Sequence, residues 1–333
     1  MRRTSGAKSE LGLIEQISKG FAWRRGRGVE LGIGDDCALL SVQEGAEVLV
    51  TTDLMLEGRH FRRDLHTPES VGHRCIARGL SDIAAMGGDP VAAFLSLGLP
   101  SDALKTSANR RWIARFLDGF RWLADGAGVV LAGGDTGEVA SGGMVADVVL
   151  LGQAPRGEAL RRSGARVGDG VYVTGKLGGA AAELEGMIAG RGRRARRTGV
   201  AGAQPQSYPE PRLKVGQALR RRGLATACID VSDGLSTDLW HLCEASGVGA
   251  EVWAGLLPVH ALAAGARGLE LALHGGEDYE LLFTASGRVP RRLAGVAVRR
   301  IGEVVQRRKG VVLVGEDEVR RELKAGGWEH FRG

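Results

Sequence analysis

The stretch Glu47-Val48-Leu49-Val50-Thr51-Thr52-Asp53-Leu54 reads as a β-strand whose apolar run is broken near its end by two hydroxyls and a carboxylate. Aliphatic and β-branched residues favour a pleated backbone. The next strong signal is Thr67-Pro68-Glu69, a helix start with Thr as cap and Pro in the first turn. That helix is predicted to run to about Met86 and to stop at Gly87-Gly88, after which residues 91–99 return as a strand ended by Pro100. Strand, helix and strand in succession predict an α/β unit. Working outward, residues 10–21 carry Leu11, Ile14, Ile17 and Phe21 at helical spacing. Residues 29–33 and 38–42 read as strands. Residues 109–127 read as a second long helix, with Trp112, Phe116, Phe120 and Leu123 on one face. Strands are expected at 129–132 and 143–151.

A polar, turn-rich stretch at 155–168 marks a boundary, so the expected domains are 1–153 and 154–333. The second half again alternates. Strands are expected at 171–174, 225–231, 279–284, 298–305 and 311–314, and helices at 176–189, 211–222 and 235–246, with 191–208 left as loop. No repeat of fixed period is present. The fold class is therefore α/β (α+β), as two mixed α/β domains.

The 333 residues are 44% hydrophobic, enough for a buried core in about two domains. Fifty-three glycines and only 5% aromatics predict many tight turns. The net charge of +6 comes from arginines spread along the chain rather than from a stripe, which argues against nucleic acid as a partner. Cys37, Cys75, Cys228 and Cys243 have neither metal-clip nor redox spacing and sit among apolar neighbours, so four buried reduced thiols are expected. The basic start Met1-Arg2-Arg3-Thr4 is followed by no apolar segment, and no apolar run is long enough to span a bilayer. These features predict a cytoplasmic protein with no membrane partner.

Acidic residues recur beside glycine or hydroxyls. Asp35 and Asp36 follow Gly32-Ile33-Gly34, and Asp53 ends its strand. Asp82 follows Ser81 in a helix among Ile76, Leu80, Ile83 and Met86, where an unpaired carboxylate is costly to bury. Asp135 lies in Gly133-Gly134-Asp135-Thr136, Asp230 and Asp233 in Asp230-Val231-Ser232-Asp233-Gly234, and Glu277 and Asp278 after Gly275-Gly276. One such Asp alone is ordinarily a turn or cap residue. Several at strand and helix ends of α/β units can converge, and such a cluster repels itself unless cations neutralise it. Hard divalent cations and phosphates need this donor set, which predicts an enzyme using ATP and several Mg²⁺ ions.

Gly170-Val-Tyr-Val-Thr-Gly175-Lys176-Leu177 imitates a P-loop, but Leu177 stands where a metal-binding hydroxyl belongs and 171–174 reads as strand. Gly175 to Gly179 is better read as a strand-to-helix turn. Protein-kinase motifs and zinc motifs are absent from the sequence. His60, in Glu57-Gly58-Arg59-His60-Phe61, is either a plain surface-loop residue or a general base. Trp328, in Gly326-Gly327-Trp328-Glu329, either docks on the core or stacks over a flat ring. The cluster 191–197, with five arginines, reads as a solvated loop.

Taken in order, ELGIGDDCALL, TTDLMLEGRHF, LSDIAAMGGDP, AGGDTG, ALRRSGARVGD, DVSDGLSTDL and HGGEDYELLF resemble the thiamine-monophosphate kinase family, over nearly the whole chain. That family is similar in fold to aminoimidazole ribonucleotide synthetase, with N-terminal domains paired in a homodimer. The resemblance implies Mg²⁺ ligands at Asp36, Thr51, Thr52, Asp53, Asp82, Asp135, Asp230 and Asp233, of which Asp53, Asp82, Asp135 and Asp233 are carried as catalytic. It implies ATP contacts at Gly134, Asp135, Arg162 and Ser232, and thiamine monophosphate contacts at His60, Glu277 and Trp328. Gly137 departs from the family, where a second Thr is frequent. The alternatives are another ATP-dependent synthetase of the same superfamily and a non-catalytic nucleotide-binding module.

Overall fold

The computed structural model describes residues 9–20, 28–33, 37–140, 142–190 and 202–327. Contacts divide the chain into one unit of residues 1–80, 90–156 and 194–197, and another of 81–89, 157–193 and 198–333.

The first unit is built on a four-stranded sheet of β3 (Ala46–Leu56), β6 (Val145–Pro155), β4 (Asp89–Pro100) and β5 (Val130–Val139), in that spatial order. β3 and β6 are antiparallel and paired without interruption from Ala46–Pro155 to Leu56–Val145. β4 and β5 are parallel, with a register shift at Ala93/Phe94. Alternation along β3 sends Leu49 and Met55 into the core and leaves Val48, Val50 and Leu54 exposed. Helix α2 (Pro68–Ala85) contributes its residues up to Leu80 to this unit. Helix α3 (Ser107–Ala127) buries Phe116 and Phe120. Thr106 caps its start by accepting the Asn109 N–H, and Gly128, at φ 76°, closes its end. Helix α1 (Glu10–Gly20) and the small antiparallel pair β1 (Val29–Leu31) and β2 (Leu39–Leu40) complete the unit.

The second unit is an eight-stranded sheet. Its spatial order is β14 (Arg320–Glu322), β13 (Val311–Val314), β9 (Gly249–Trp253), β12 (Val296–Val305), β7 (Gly170–Thr174), β10 (Leu281–Ala285) and β8 (Ala227–Asp230), with β11 (Arg292–Leu293) on β12. Among the described residues of this sheet, β13 and β9 run parallel and the other paired strands antiparallel. Helices α4 (Gly179–Ile188), α5 (Leu213–Arg221), α6 (Leu235–Ser246) and α7 (Gly268–His274) belong to this unit. One core gathers Val171, Ile229, Leu239, Val252, Leu282 and Ile301. A second gathers Val215, Leu219, Phe283 and Val298 with Ala84 and Ala85.

The structure corrects several expectations. β5 does not stop at Ala132 but continues to Val139, because its parallel pairing with β4 extends to Pro100 and carries the Gly-Gly-Asp motif as strand. β6 extends to Pro155 because Ala46 pairs there. β2 shrinks to two residues. Strand β9 and helix α7 were not anticipated. β9 carries Glu251 in its middle and is made a strand by neighbours on both sides. Cys75, Cys228 and Cys243 are buried, but Cys37 is exposed. The expected strand at 171–174 is β7, and α4 begins only after the Gly175–Gly178 turn, so this segment is no phosphate loop. The basic cluster 191–197 lies outside the described residues.

Candidate active site

In the first unit, β3 carries Thr51, Thr52 and Asp53 consecutively. Alternation turns Thr51 and Asp53 to one face and Thr52 to the other. Asp53 Oδ1 accepts from Arg78 Nε on α2 at 3.2 Å, with the two side chains 18% and 19% exposed. Asp53 Oδ2 is buried without a hydrogen-bond partner. Burial of an anionic oxygen in that state is costly, and a bound cation would relieve it. On the opposite face, Thr52 Oγ1 donates to Asp147 Oδ1 at 2.9 Å.

His60 sits in the turn after β3. Its Nδ1 accepts the Leu56 N–H at 3.0 Å, so the neutral ring carries its proton on Nε2. Its carbonyl accepts from buried Arg74 at 2.8 Å, which fixes the turn from below.

Gly134 and Asp135 lie on β5 and line, with Ile14, Ile17, Cys37, Phe94 and Leu131, a cavity of about 710 Å³. Gly134 has φ 149°, and a Cβ there would stand 1.9 Å from the Leu95 carbonyl oxygen. No other residue presents bare backbone at that point. Asp135 Oδ1 accepts the Thr136 N–H at 2.8 Å. Asp36 lies outside the described residues.

The second unit brings three distant segments together. The first is the turn after β8. Asp230 Oδ2 accepts from Ser81 Oγ at 2.6 Å, both groups buried, and Asp82 is half-buried next to that serine. Beyond it, the N–H groups of Ser232, Asp233 and Gly234 all donate to Asp238 at 3.0–3.1 Å. Burial and then the charges of Asp230 and Asp233 push the Asp238 carboxyl up to about 8, against the pull of those N–H donors. The second segment is Gly275 to Tyr279. Glu277 and Tyr279 have φ 65° and 49°, left-handed values that cost free energy in residues with a Cβ. The turn is held by the Glu277 N–H on Ser232 O at 2.7 Å and the Tyr279 N–H on Val231 O at 2.9 Å. Asp278 points the other way and accepts the N–H groups of Gly178 (2.6 Å) and Ala180 (3.1 Å) at the start of α4. Burial raises the Asp278 carboxyl to about 7 against those donors. Glu277 Oε2 accepts from Gln206 Nε2 at 3.2 Å.

The third segment is Gly326-Gly327. The Gly326 N–H donates to Ser236 Oγ at 3.3 Å and the Gly327 N–H to Thr237 Oγ1 at 3.0 Å, both at the start of α6. A Cβ on Gly327 would stand 2.0 Å from Asp233 O. His274 Nδ1 shares a hydrogen bond with Ser236 Oγ at 2.8 Å. Trp328 lies outside the described residues, but the two glycines before it run along the Asp233 turn. Arg162 is exposed, and its carbonyl accepts from Ser246 Oγ at 2.9 Å.

Thus Asp230, Ser232, Asp233 and Glu277 share one cluster, and Thr51, Thr52 and Asp53 share one strand with His60 in the turn that follows. Among the described residues, no three His, Cys, Asp or Glu side chains stand as a metal-binding group. Asp53, with its orphaned oxygen, and the hydroxyl-flanked aspartates nevertheless have the chemistry that Mg²⁺ takes. Sequence reasoning missed Asp147, Arg78, Asp238 and Gln206. Asp147 had a signal, being a carboxylate in an apolar strand, and Asp238 lies in the first turn of a helix where acids belong. Gln206, in an irregular loop, had none.

Residues 34–154 match the AIR synthase related protein N-terminal domain, and residues 166–315 match the corresponding C-terminal domain. Thiamine-monophosphate kinase of Escherichia coli (strain K12) is 38% identical over an alignment of 321 residues that covers 91% of this chain and 92% of that protein. The crystal structure of thiamine-monophosphate kinase from Stenotrophomonas maltophilia K279a is 35% identical with a TM-score of 0.78, covering 95% of this chain and 98% of that one. AaThiL complexed with AMPPCP and TMP is 32% identical with a TM-score of 0.73 over 99% of both chains. The chain belongs to the thiamine-monophosphate kinase family.

Proposed function

We propose that the chain transfers the γ-phosphate of ATP to thiamine monophosphate, giving ADP and thiamine diphosphate. One observation carries this reading: a relative aligned along 99% of the chain is held with AMPPCP and TMP, an ATP analogue and the acceptor. A phosphate monoester has a second pKa near ~6 and is mostly dianionic at neutral pH, so no base is needed to make the nucleophile. This fits a site rich in carboxylates and poor in histidine. The barrier is repulsion between two anionic phosphates, about 4 kcal/mol per unit-charge pair at ~4 Å and an effective dielectric of ~20.

Asp36, Thr51, Thr52, Asp53, Asp82, Asp135, Asp230 and Asp233 would hold Mg²⁺. When bound, the cations offset that repulsion and favour in-line geometry. The orphaned Asp53 oxygen supports this. Gly134 offers its bare backbone to the nucleotide, with Arg162 and Ser232 as further contacts. Glu277 would meet the cationic thiazolium or the aminopyrimidine, Trp328 would supply ring stacking and a cation–π contact, and His60 would bind the acceptor. Two copies pair through their first units, a reading supported by the outer face of β3, where Val48, Val50 and Leu54 are 46%, 65% and 47% exposed. Among the described residues no helix is long and apolar enough to cross a membrane, and the enzyme works in the cytoplasm.

The test is mass spectrometry after incubation with ATP, Mg²⁺ and thiamine monophosphate. Thiamine diphosphate with one ADP per turnover is expected. ATP loss without that product, or full speed in excess EDTA, refutes the reading.

A further inference from the structure

We propose that Gln206 is a positioning residue for Glu277 and thereby sets affinity for the acceptor's cationic ring. The inference rests on the function proposed above. Gln206 is 2% exposed, although it lies in an irregular loop. Its backbone N–H and the Ser207 hydroxyl both donate to the Glu183 carboxylate on α4, at 2.8 and 2.5 Å, so the loop is fixed to a helix. Its side-chain Nε2 donates to Glu277 Oε2 at 3.2 Å. That contact fixes which end of the amide faces the anion, because only the NH₂ end can donate to a carboxylate. Its Oε1 is therefore turned away, buried, and has no partner.

An unpartnered buried acceptor works against stability, and apolar residues of similar volume avoid it. Glu277 adds a left-handed backbone at the same spot. Two unfavourable local features meeting at one carboxylate mark a site held ready for a ligand rather than for fold stability. The amide N–H removes rotational freedom from the Glu277 carboxylate before the substrate arrives, so less order has to be gained on binding.

The experiment compares the intact protein with Gln206→Met and Gln206→Leu. Each variant keeps the volume approximately, and each removes both the donor to Glu277 and the orphaned oxygen. Expected is a KM for thiamine monophosphate raised about tenfold, equivalent to about 1.4 kcal/mol. Turnover at saturation and the KM for ATP stay within about twofold, and the melting temperature is unchanged or higher. An unchanged KM for thiamine monophosphate in both folded variants overturns the proposal. So does a fall in melting temperature and turnover together, which marks a merely structural residue. Thiamine diphosphate formed by the unaltered protein in the same assay separates this outcome from failure of the function itself.

Discussion

Gly327→Ala should loosen the Gly326-Gly327 segment from the Asp233 turn, and the size of the effect follows from the geometry. The added Cβ would stand 2.0 Å from the Asp233 carbonyl oxygen and 2.7 Å from Thr237 Oγ1. A tolerable carbon–oxygen contact is about 3.3 Å or more, so the segment has to move by roughly 1.3 Å. Hydrogen bonds of 3.0 Å (Gly327 to Thr237) and 3.3 Å (Gly326 to Ser236) do not survive that shift. Each neutral bond contributes about 0.5–1.5 kcal/mol, about 1–3 kcal/mol for both. If the segment is seated in the acceptor-bound state, KM for thiamine monophosphate rises about 5- to 150-fold. Thr237→Val removes a single bond and should raise it about 2- to 12-fold. Gly287→Ala, whose Cβ meets nothing within 4 Å, serves as control. Steady-state ADP release with each substrate varied is the assay. An unchanged KM for thiamine monophosphate, or a change confined to ATP, refutes the idea that this segment serves the acceptor.

Asp53→Asn keeps shape but removes the charge whose buried oxygen stands unpartnered; turnover should fall at least ~100-fold with the circular dichroism spectrum unchanged. Wild-type turnover with Mg²⁺ still required would remove Asp53 from the machinery. Asp278 gives a pH signature. Its carboxyl is raised to about 7 in the folded chain against 3.8 for the free group, so the folded state holds the proton more tightly. Stability from this group is then present below about pH 4 and is lost as pH rises towards 7, by up to about 4 kcal/mol. The melting temperature of the unaltered protein should drop relative to Asp278→Asn between pH 4.5 and 7.5, and parallel curves would show that the group does not titrate there.

Much of the architecture was readable because periodicity is local. The apolar, β-branched run of residues 47–54, the Thr67-Pro68 start and the Gly87-Gly88 stop fall where β3, α2 and the turn before β4 lie. What failed depended on neighbours. β5 runs on through Gly133-Gly134-Asp135 because β4 supplies partners, and no residue in that motif favours a strand by itself. β9 likewise exists because β12 and β13 flank it. The site divides in the same way. Acid–glycine–hydroxyl motifs pointed to Asp53, Asp135, Asp230 and Glu277, since turn chemistry is written locally. The partners that hold them were not written there. Arg78 lies one helix away from Asp53, Asp238 caps a turn from behind, and Gln206 reaches Glu277 across more than seventy positions of chain.

Strand β7 sits in the middle of its sheet, between β12 and β10, and both neighbours come later in the chain. Roughly 120 residues separate Thr174 from Val296, the start of β12. At about 5–20 residues per second, a growing polypeptide leaves that apolar edge without its later partner for about 6–24 s. An uncovered edge is a template for pairing with other chains. Yield in a recombinant host should therefore depend on slow growth, low temperature or holdase supply, and products truncated before Val296 should collect in inclusion bodies.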